Sequence, residues 1–142
     1  IWDDTVDACY GDGEWEAGFV PDWDPVNISQ TEDPSGYMVF DLNGEPNFSR
    51  YDNTGKLIEK GTFSFDMTSK INNTDDGSQW SIGKLTLSNA TVLNGHLYGN
   101  TTPIYSFSIL SLTDSNMVLC AAPVNAAGGD SGTFWLFKCK NE

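Results

Sequence analysis

Short apolar runs separated by turn residues fill the sequence from residue 36 onward, and this pattern favours an antiparallel sheet over other folds. The stretches NGEP and DNTGK are typical turns between such runs, and no part of the chain keeps a sustained helical period. We therefore predict eight strands, and the first 35 residues can add one more. The predicted strands cover residues 36–42, 47–51, 57–66, 79–88, 91–99, 102–112, 116–123 and 132–140.

Alternation within these strands indicates which side chains face the core, since successive side chains of a strand point to opposite faces. Phe63 and Phe65 share one face of GTFSFD, and Trp135 and Phe137 share one face of TFWLFKCK. We expect both faces to point inward. Cys139 lies on the same predicted face as Trp135.

Two of the predicted strands change phase along their length. Trp80 and Ile82 occupy even positions whereas the following leucines are odd, so a β-bulge is expected at Gly83. A second change, from Ile109 to Leu110, requires a bulge or twist without glycine. Strands that bend in this way favour an all-β, mostly antiparallel, up-and-down barrel of about eight strands, and a two-sheet jelly-roll sandwich is the alternative.

The length of 142 residues suits one all-β domain, with an acidic N-terminal segment over residues 1–35 and a strand meander over residues 36–142. Because the chain starts at Ile1 without an apolar leader, we expect an excised domain or a mature form. Three cysteines are an odd number, so at least one is unpaired within the chain. One disulfide and three free thiols both remain open.

The net charge of −13 is concentrated in the first third of the chain. Residues 1–49 contain twelve of the twenty acidic residues and no lysine or arginine. Nucleic acids and anionic membranes are therefore improbable partners, because both would be repelled. A solvated acidic face is the simplest interpretation, with calcium or a basic neighbouring domain as the alternatives.

The segment GKLTLSNATVLNGHLYGNTTPIYSFSILSLTDSNMVLCAAP, followed by GTFWLFKCK, resembles the C-terminal half of lipocalin-like, or calycin-like, domains in secreted and surface lipoproteins of Bacteroidetes. The resemblance covers roughly residues 57–140, and GEW at residues 13–15 resembles the Gly-x-Trp of lipocalin first strands. It implies a barrel that binds a ligand at the cell surface, in the periplasm or outside the cell, after export on an upstream lipoprotein signal. The acidic start, IWDD with GDGEWEAGFVPDW, is also similar to domains that follow PKD modules in surface proteins linked with glycan use.

Sequence motifs for catalysis are absent, and we predict that the protein is not an enzyme and needs no cofactor. His96 is the single histidine, and its local sequence offers neither an acid nor a serine, so a hydrogen-bonded or exposed histidine is expected. Glu14 and Glu16 could form a glycosidase-like acid pair, but such pairs are common in this segment. Asp22 and Asp24, together with Asp12 and Glu14, could hold calcium in a loop, but no EF-hand spacing supports one, and no metal site is predicted.

Two hypotheses for binding follow from where the aromatic side chains lie. In the first, the domain binds a small apolar molecule or lipid inside the barrel, against six aromatic residues: Phe63, Phe65, Tyr105, Phe107, Trp135 and Phe137. In the second, it is a carbohydrate-binding module with an exposed face that stacks on sugar rings: Trp15, Phe19 and Trp23 with Glu16, Asp22 and Asp24. Other domains of a larger surface protein are possible partners in either case.

Overall fold

The computed structural model of the chain describes residues 1–14, 21, 24–68, 71–72, 79–121 and 131–140. These ranges contain a single turn of 3-10 helix, Ile28–Gln30, and ten strands. The strands are β1 (Tyr10–Glu14), β2 (Tyr37–Asp41), β3 (Asn47–Tyr51), β4 (Leu57–Asp66), β5 (Ile71–Asn72), β6 (Gln79–Ser81), β7 (Gly83–Ser88), β8 (Ser106–Leu112), β9 (Asn116–Ala121) and β10 (Ser131–Lys138). The all-β prediction is confirmed. Within the described ranges no helix is long and apolar enough to cross a lipid bilayer.

Eight strands form one antiparallel sheet in the order β1-β10-β9-β8-β7-β4-β3-β2. Chain neighbours are sheet neighbours from β2 to β10, except that the separate hairpin of β5 and β6 is inserted between β4 and β7. In the described part of the chain no strand pairing joins β1 to β2, so the two edges stay open. The predicted antiparallel sheet is therefore present, whereas its closure into a barrel is not confirmed.

The β3–β4 hairpin shows how local sequence sets the register of this sheet. Both strands begin and end where the alternation predicts. In the turn between them, an Asp52 carboxylate oxygen accepts hydrogen bonds from the backbone N–H groups of Thr54 and Lys56, and Gly55 adopts a φ of 82°. An aspartate followed by a glycine at positive φ is what a tight turn requires.

The segment 89–105 contradicts the prediction of a strand over residues 91–99. It forms no strand and packs instead against the core face of the sheet, with Val92 and Leu93 fully buried. The Trp135 indole donates a hydrogen bond of 2.8 Å to the Asn94 carbonyl, and the Tyr10 hydroxyl donates one of 2.6 Å to the His96 carbonyl. Its apolar residues imitate a strand pattern because they fill the centre of the fold, so we call this segment the plug.

Both phase changes in the sequence coincide with irregularities in the sheet. β8 and β9 pair as Ile109 with Leu119 and Ser111 with Val118, which leaves Leu110 as the extra residue of a bulge. The predicted bulge or twist at this point is confirmed. The β-bulge expected at Gly83 is not found, because β7 pairs in regular register with β4 and β8. The phase changes there because the chain leaves the hairpin strand β6 at Ser81 and joins the main sheet as β7 at Gly83.

The N-terminal segment covers the open side of β10 in two places. Trp2 pairs with Phe137, and β1 then pairs with the preceding part of β10. Residues 24–26 run along the outer side of β1, where a Cβ atom on Gly11 would lie 1.8 Å from the Asp24 carbonyl oxygen. Glycine at φ 131° therefore permits this close approach.

β10 is buried on both faces, which its alternation does not predict. Trp135 and Phe137 belong to the main core, whereas Phe134 and Leu136 form a second cluster with Cys120, Leu110 and two valines. One of those valines, Val6, comes from the loop between the two N-terminal pairings and packs against both clusters. β10 thus contributes side chains to both hydrophobic clusters, one from each of its faces.

Candidate ligand-binding cavity

A cavity of about 480 Å³ lies between the edge strand β2 and the C-terminal end of β10. Residues 38–40 of β2 form one side, the end of β10 forms the other, and the β8–β9 turn and one residue of β4 complete the wall. Its apolar lining consists of Ile1, Met38, Val39, Phe40, Phe65, Leu112, Met117 and Phe137. This volume and this lining are typical of pockets for small molecules, which measure roughly 300–1,000 Å³.

The six predicted interior aromatic residues divide into three groups. Phe65 and Phe137 line the cavity, although Phe65 is 37% exposed and Phe137 is buried. Phe107 and Trp135 are buried in the core with their rings 5.0 Å apart, beneath the plug. Phe63 is half-buried, and Tyr105 lies outside the core at 41% exposure because it precedes β8.

Sequence reasoning missed Met38 and Phe40, the two side chains that β2 contributes from its core face. The Phe40 ring contacts Phe48, Phe63 and Phe65 at centroid distances of 5.0, 5.1 and 6.1 Å. Alternation in GYMVFDL places Met38 and Phe40 on one face, so their shared side could have been predicted. Their proximity to β10 could not, because it depends on how the sheet coils.

Two methionines make the lining of the cavity adaptable. Met38 comes from β2 and Met117 from β9, and both pack partly buried against the main core. An unbranched thioether side chain has three rotatable bonds and fills irregular spaces at little cost. The two methionines can therefore change the shape of this cavity at little cost.

The mouth of the cavity is polar and carries two lysines. Lys138 Nζ lies 2.5 Å from an Asp4 carboxylate oxygen, and this hydrogen bond holds the pKa of Asp4 below its ordinary value. Lys140 Nζ lies 4.7 Å from the centroid of the Tyr37 ring, so it reaches from the end of β10 to β2. This cation–π contact joins the end of β10 to the edge strand β2 across the mouth.

The β8–β9 turn forms the polar floor of the mouth. The Thr113 hydroxyl oxygen accepts hydrogen bonds from the backbone N–H groups of Ser115 and Asn116, and the Ser115 hydroxyl donates to the Asn116 side chain. Asp114 is exposed in the same turn and is the acidic residue of the cavity lining. The exposed part of the lining therefore combines these polar groups with three exposed apolar residues, Val39, Phe65 and Leu112, whereas Phe137 is buried.

One cysteine lines the cavity, and the other two are buried elsewhere. None of the three cysteines, all within the described ranges, forms a disulfide. Burial raises the pKa of Cys9 to about 12 and also raises that of Cys120, so both stay protonated and unreactive. Cys139 is exposed at the mouth. It provides a chemical reporter of whether this cavity is occupied.

A second, smaller cleft of about 170 Å³ surrounds His96 on another side of the plug. His96 Nε2 lies 2.5 Å from a Glu32 carboxylate oxygen, and Nδ1 lies 3.2 Å from the Tyr10 hydroxyl. Arg50 is paired with Glu59 at 3.1 Å. These groups bond to one another and hold the plug in place, and His96 is thus a hydrogen-bonded histidine.

The predicted glycan face lies almost wholly outside the described residues. Trp15, Glu16, Phe19, Asp22 and Trp23 all fall there, and the sixth member, Asp24, is half-buried beside β1. The backbone N–H of Asp24 donates a hydrogen bond to the carbonyl of Asp12, and both residues belong to the calcium-loop hypothesis.

Asp12 lies in β1, and the surroundings of its carboxyl group shift its pKa. The pKa of Asp12 is raised, mainly because burial desolvates the carboxylate and also because the charge of Asp24 is near. A hydrogen bond of 2.6 Å from the Thr133 hydroxyl acts in the opposite direction. Within the described ranges no three His, Cys, Asp or Glu side chains converge as metal ligands. Asp12 and Asp24 are thus a close acidic pair beside β1.

No protein-family model, no curated protein and no solved structure matched this chain. The lipocalin-like resemblance of residues 57–140 therefore stays a prediction.

Proposed function

We propose that this chain is a non-catalytic domain that binds a small apolar molecule or lipid in the cavity between β2 and the end of β10. The observation that carries the proposal is the 480 Å³ space lined by eight apolar residues and open to solvent at a polar mouth. Such a lining suits a ligand whose apolar part is buried away from water and whose polar part stays at the polar side of the cavity.

The site differs from the barrel centre on which the sequence hypothesis rested. The plug occupies that centre with Val92 and Leu93, and the core around Phe107 and Trp135 is buried. Space for a ligand is found at the end of the fold, where Lys140 contacts Tyr37 between the end of β10 and β2. Two aromatic residues of the original hypothesis, Phe65 and Phe137, still line it.

A lipocalin-like barrel is the fold that we propose for this sheet. The contact of Lys140 with Tyr37 supports it, because this contact brings the end of β10 beside β2 at the open side of the sheet. The meander order of β2 to β10 also supports an up-and-down barrel.

The chemistry of the lining supports binding rather than catalysis. The titratable side chains that line this cavity are Asp114, Lys138, Cys139 and Lys140. Lys138 is paired with Asp4, and the single histidine of the chain lies in the other cleft. A nucleophile with an adjacent general base is thus missing from these lining residues.

Binding of Nile red, an uncharged apolar dye, tests the proposal. The wild-type domain should enhance the fluorescence of the dye, and 1-decanol should displace it. Leu112→Trp should reduce the affinity at least fivefold, because Leu112 lines the cavity and indole fills part of its volume. Leu42→Trp is the matched control, since Leu42 is 76% exposed and lies outside the cavity.

Circular dichroism of both variants verifies that they fold. Failure of the wild-type domain to bind the dye would overturn the proposal. So would equal dye affinity of the Leu112→Trp and Leu42→Trp variants.

A further inference from the structure

Basic residues are scarce in this chain, and two of the seven lie at the mouth of the apolar cavity. Lys138 and Lys140 are separated by a single residue, while the chain carries twenty acidic residues and a net charge of −13. Cations placed where an apolar pocket meets water provide donors for the charged end of an amphipathic ligand.

The two lysines differ in whether a carboxylate already neutralises them. Lys138 is paired with Asp4 at 2.5 Å. In the described part of the chain no carboxylate oxygen lies within 4 Å of Lys140 Nζ, whose contact is the Tyr37 ring. Lys140 therefore remains available to a ligand anion, and a contact with an aromatic face at an exposed site is weak enough to exchange.

We propose that the cavity selects amphipathic anions, with the apolar chain against Met38, Phe40 and Phe137 and the anionic head at Lys140. This inference rests on the proposed function and adds the chemical class of the ligand. The Thr113 hydroxyl of the β8–β9 turn lies at the same mouth and can donate to the head.

The acidic surroundings set the conditions under which this selection operates. The net charge of −13 repels an anion at long range, but at 0.15 M salt the screening length is about 8 Å. At contact distance the nearest charges therefore dominate, and these are Lys140, the paired Lys138 and the opposing Asp114. Asp4 neutralises Lys138, so a cationic head placed beside Lys140 would be repelled by it and should be disfavoured.

Calorimetric titration with three ligands of equal chain length tests the inference: decanoate, 1-decanol and decylamine. Binding of the neutral 1-decanol measures the affinity for the apolar chain. Comparison of decanoate and decylamine with 1-decanol measures the preference for the charge of the head group. We expect decanoate to bind about fivefold more tightly than 1-decanol, the size of effect expected of a partly exposed ion pair, and decylamine to bind more weakly than either.

Substitution of Lys140 separates the head from the chain. Lys140→Met should bring the affinity ratio of decanoate to 1-decanol close to one, and Lys140→Arg should keep it. Lys56→Met is the matched control, because it removes the same charge from the exposed β3–β4 turn and should leave the ratio unchanged. The ratio is informative even if loss of the Tyr37 contact weakens both ligands together.

The outcomes distinguish this inference from the proposed function. Equal binding of decanoate and 1-decanol by the wild-type domain, tighter binding of decylamine, or an unchanged ratio in Lys140→Met would overturn the selection of anions and leave the proposed function standing. Absence of binding by all three ligands would overturn the proposed function and this inference with it.

Discussion

Removal of the Tyr10 hydroxyl should destabilise the fold by releasing the plug. Tyr10 is 3% exposed, and its hydroxyl donates a hydrogen bond of 2.6 Å to the His96 carbonyl. In Tyr10→Phe the ring and its packing against Trp135 remain, so the lost hydrogen bond is the main change. One hydrogen bond makes a net contribution of about 1 kcal/mol to stability, and the His96 carbonyl left without its donor adds to the loss. We therefore expect the free energy of unfolding to fall by about 1.5 kcal/mol.

Urea denaturation followed by tryptophan fluorescence measures this difference. For a domain of this size an m-value of about 1.5 kcal/mol per molar urea turns the loss into a fall of about 1 M in the midpoint. Tyr105→Phe is the matched control, since Tyr105 lies at the surface and its variant should stay within about 0.5 kcal/mol of the wild type. A Tyr10→Phe midpoint equal to that of the wild type would refute the role assigned to the plug.

Three further outcomes follow from burial and charge. Asp12→Asn should raise the melting temperature at pH 7. The pKa of Asp12 in the folded protein lies above its ordinary value of 3.8, so the wild type loses stability as the pH rises through the folded pKa, whereas the variant does not. The melting temperatures of the two proteins should therefore become similar near pH 3. A variant no more stable than wild type at pH 7 would contradict this. Iodoacetamide should modify Cys139 alone in the native protein and three cysteines in urea, as counted by mass spectrometry; two modified thiols in the native state would disagree. Phe137→Ala should cost about 3–5 kcal/mol in urea denaturation, and the more exposed Phe65→Ala clearly less, so similar losses would be inconsistent with their burial.

The strands were predictable wherever local signals agree with the tertiary structure. β3 and β4 match their predicted bounds because alternation and the turn at Asp52–Lys56 specify the same hairpin. The bulge at Leu110 was predictable from the phase change in its strand. The plug was not, since Val92, Leu93 and Leu97 are apolar for packing across the sheet, and a strand pattern uses the same residue types.

The cavity was predictable only in part, because it is formed by segments far apart in sequence. Alternation identified Phe65 and Phe137 as inward residues, and both line it. Alternation places Lys140 on the face opposite Trp135 and Phe137, yet its side chain reaches Tyr37 in β2. How closely β2 approaches the end of β10 depends on the twist and coil of the whole sheet, which the sequence of a single strand does not encode.

Protection of Cys139 tests the central claim most directly, because this thiol lies at the mouth of the cavity. The rate at which iodoacetamide, an uncharged reagent, modifies Cys139 should fall several-fold when 1-decanol saturates the domain. In Leu112→Trp the same concentration of 1-decanol should protect the thiol less than in Leu42→Trp. An alkylation rate that 1-decanol leaves unchanged, at concentrations that displace Nile red, would place the ligand elsewhere and contradict the account.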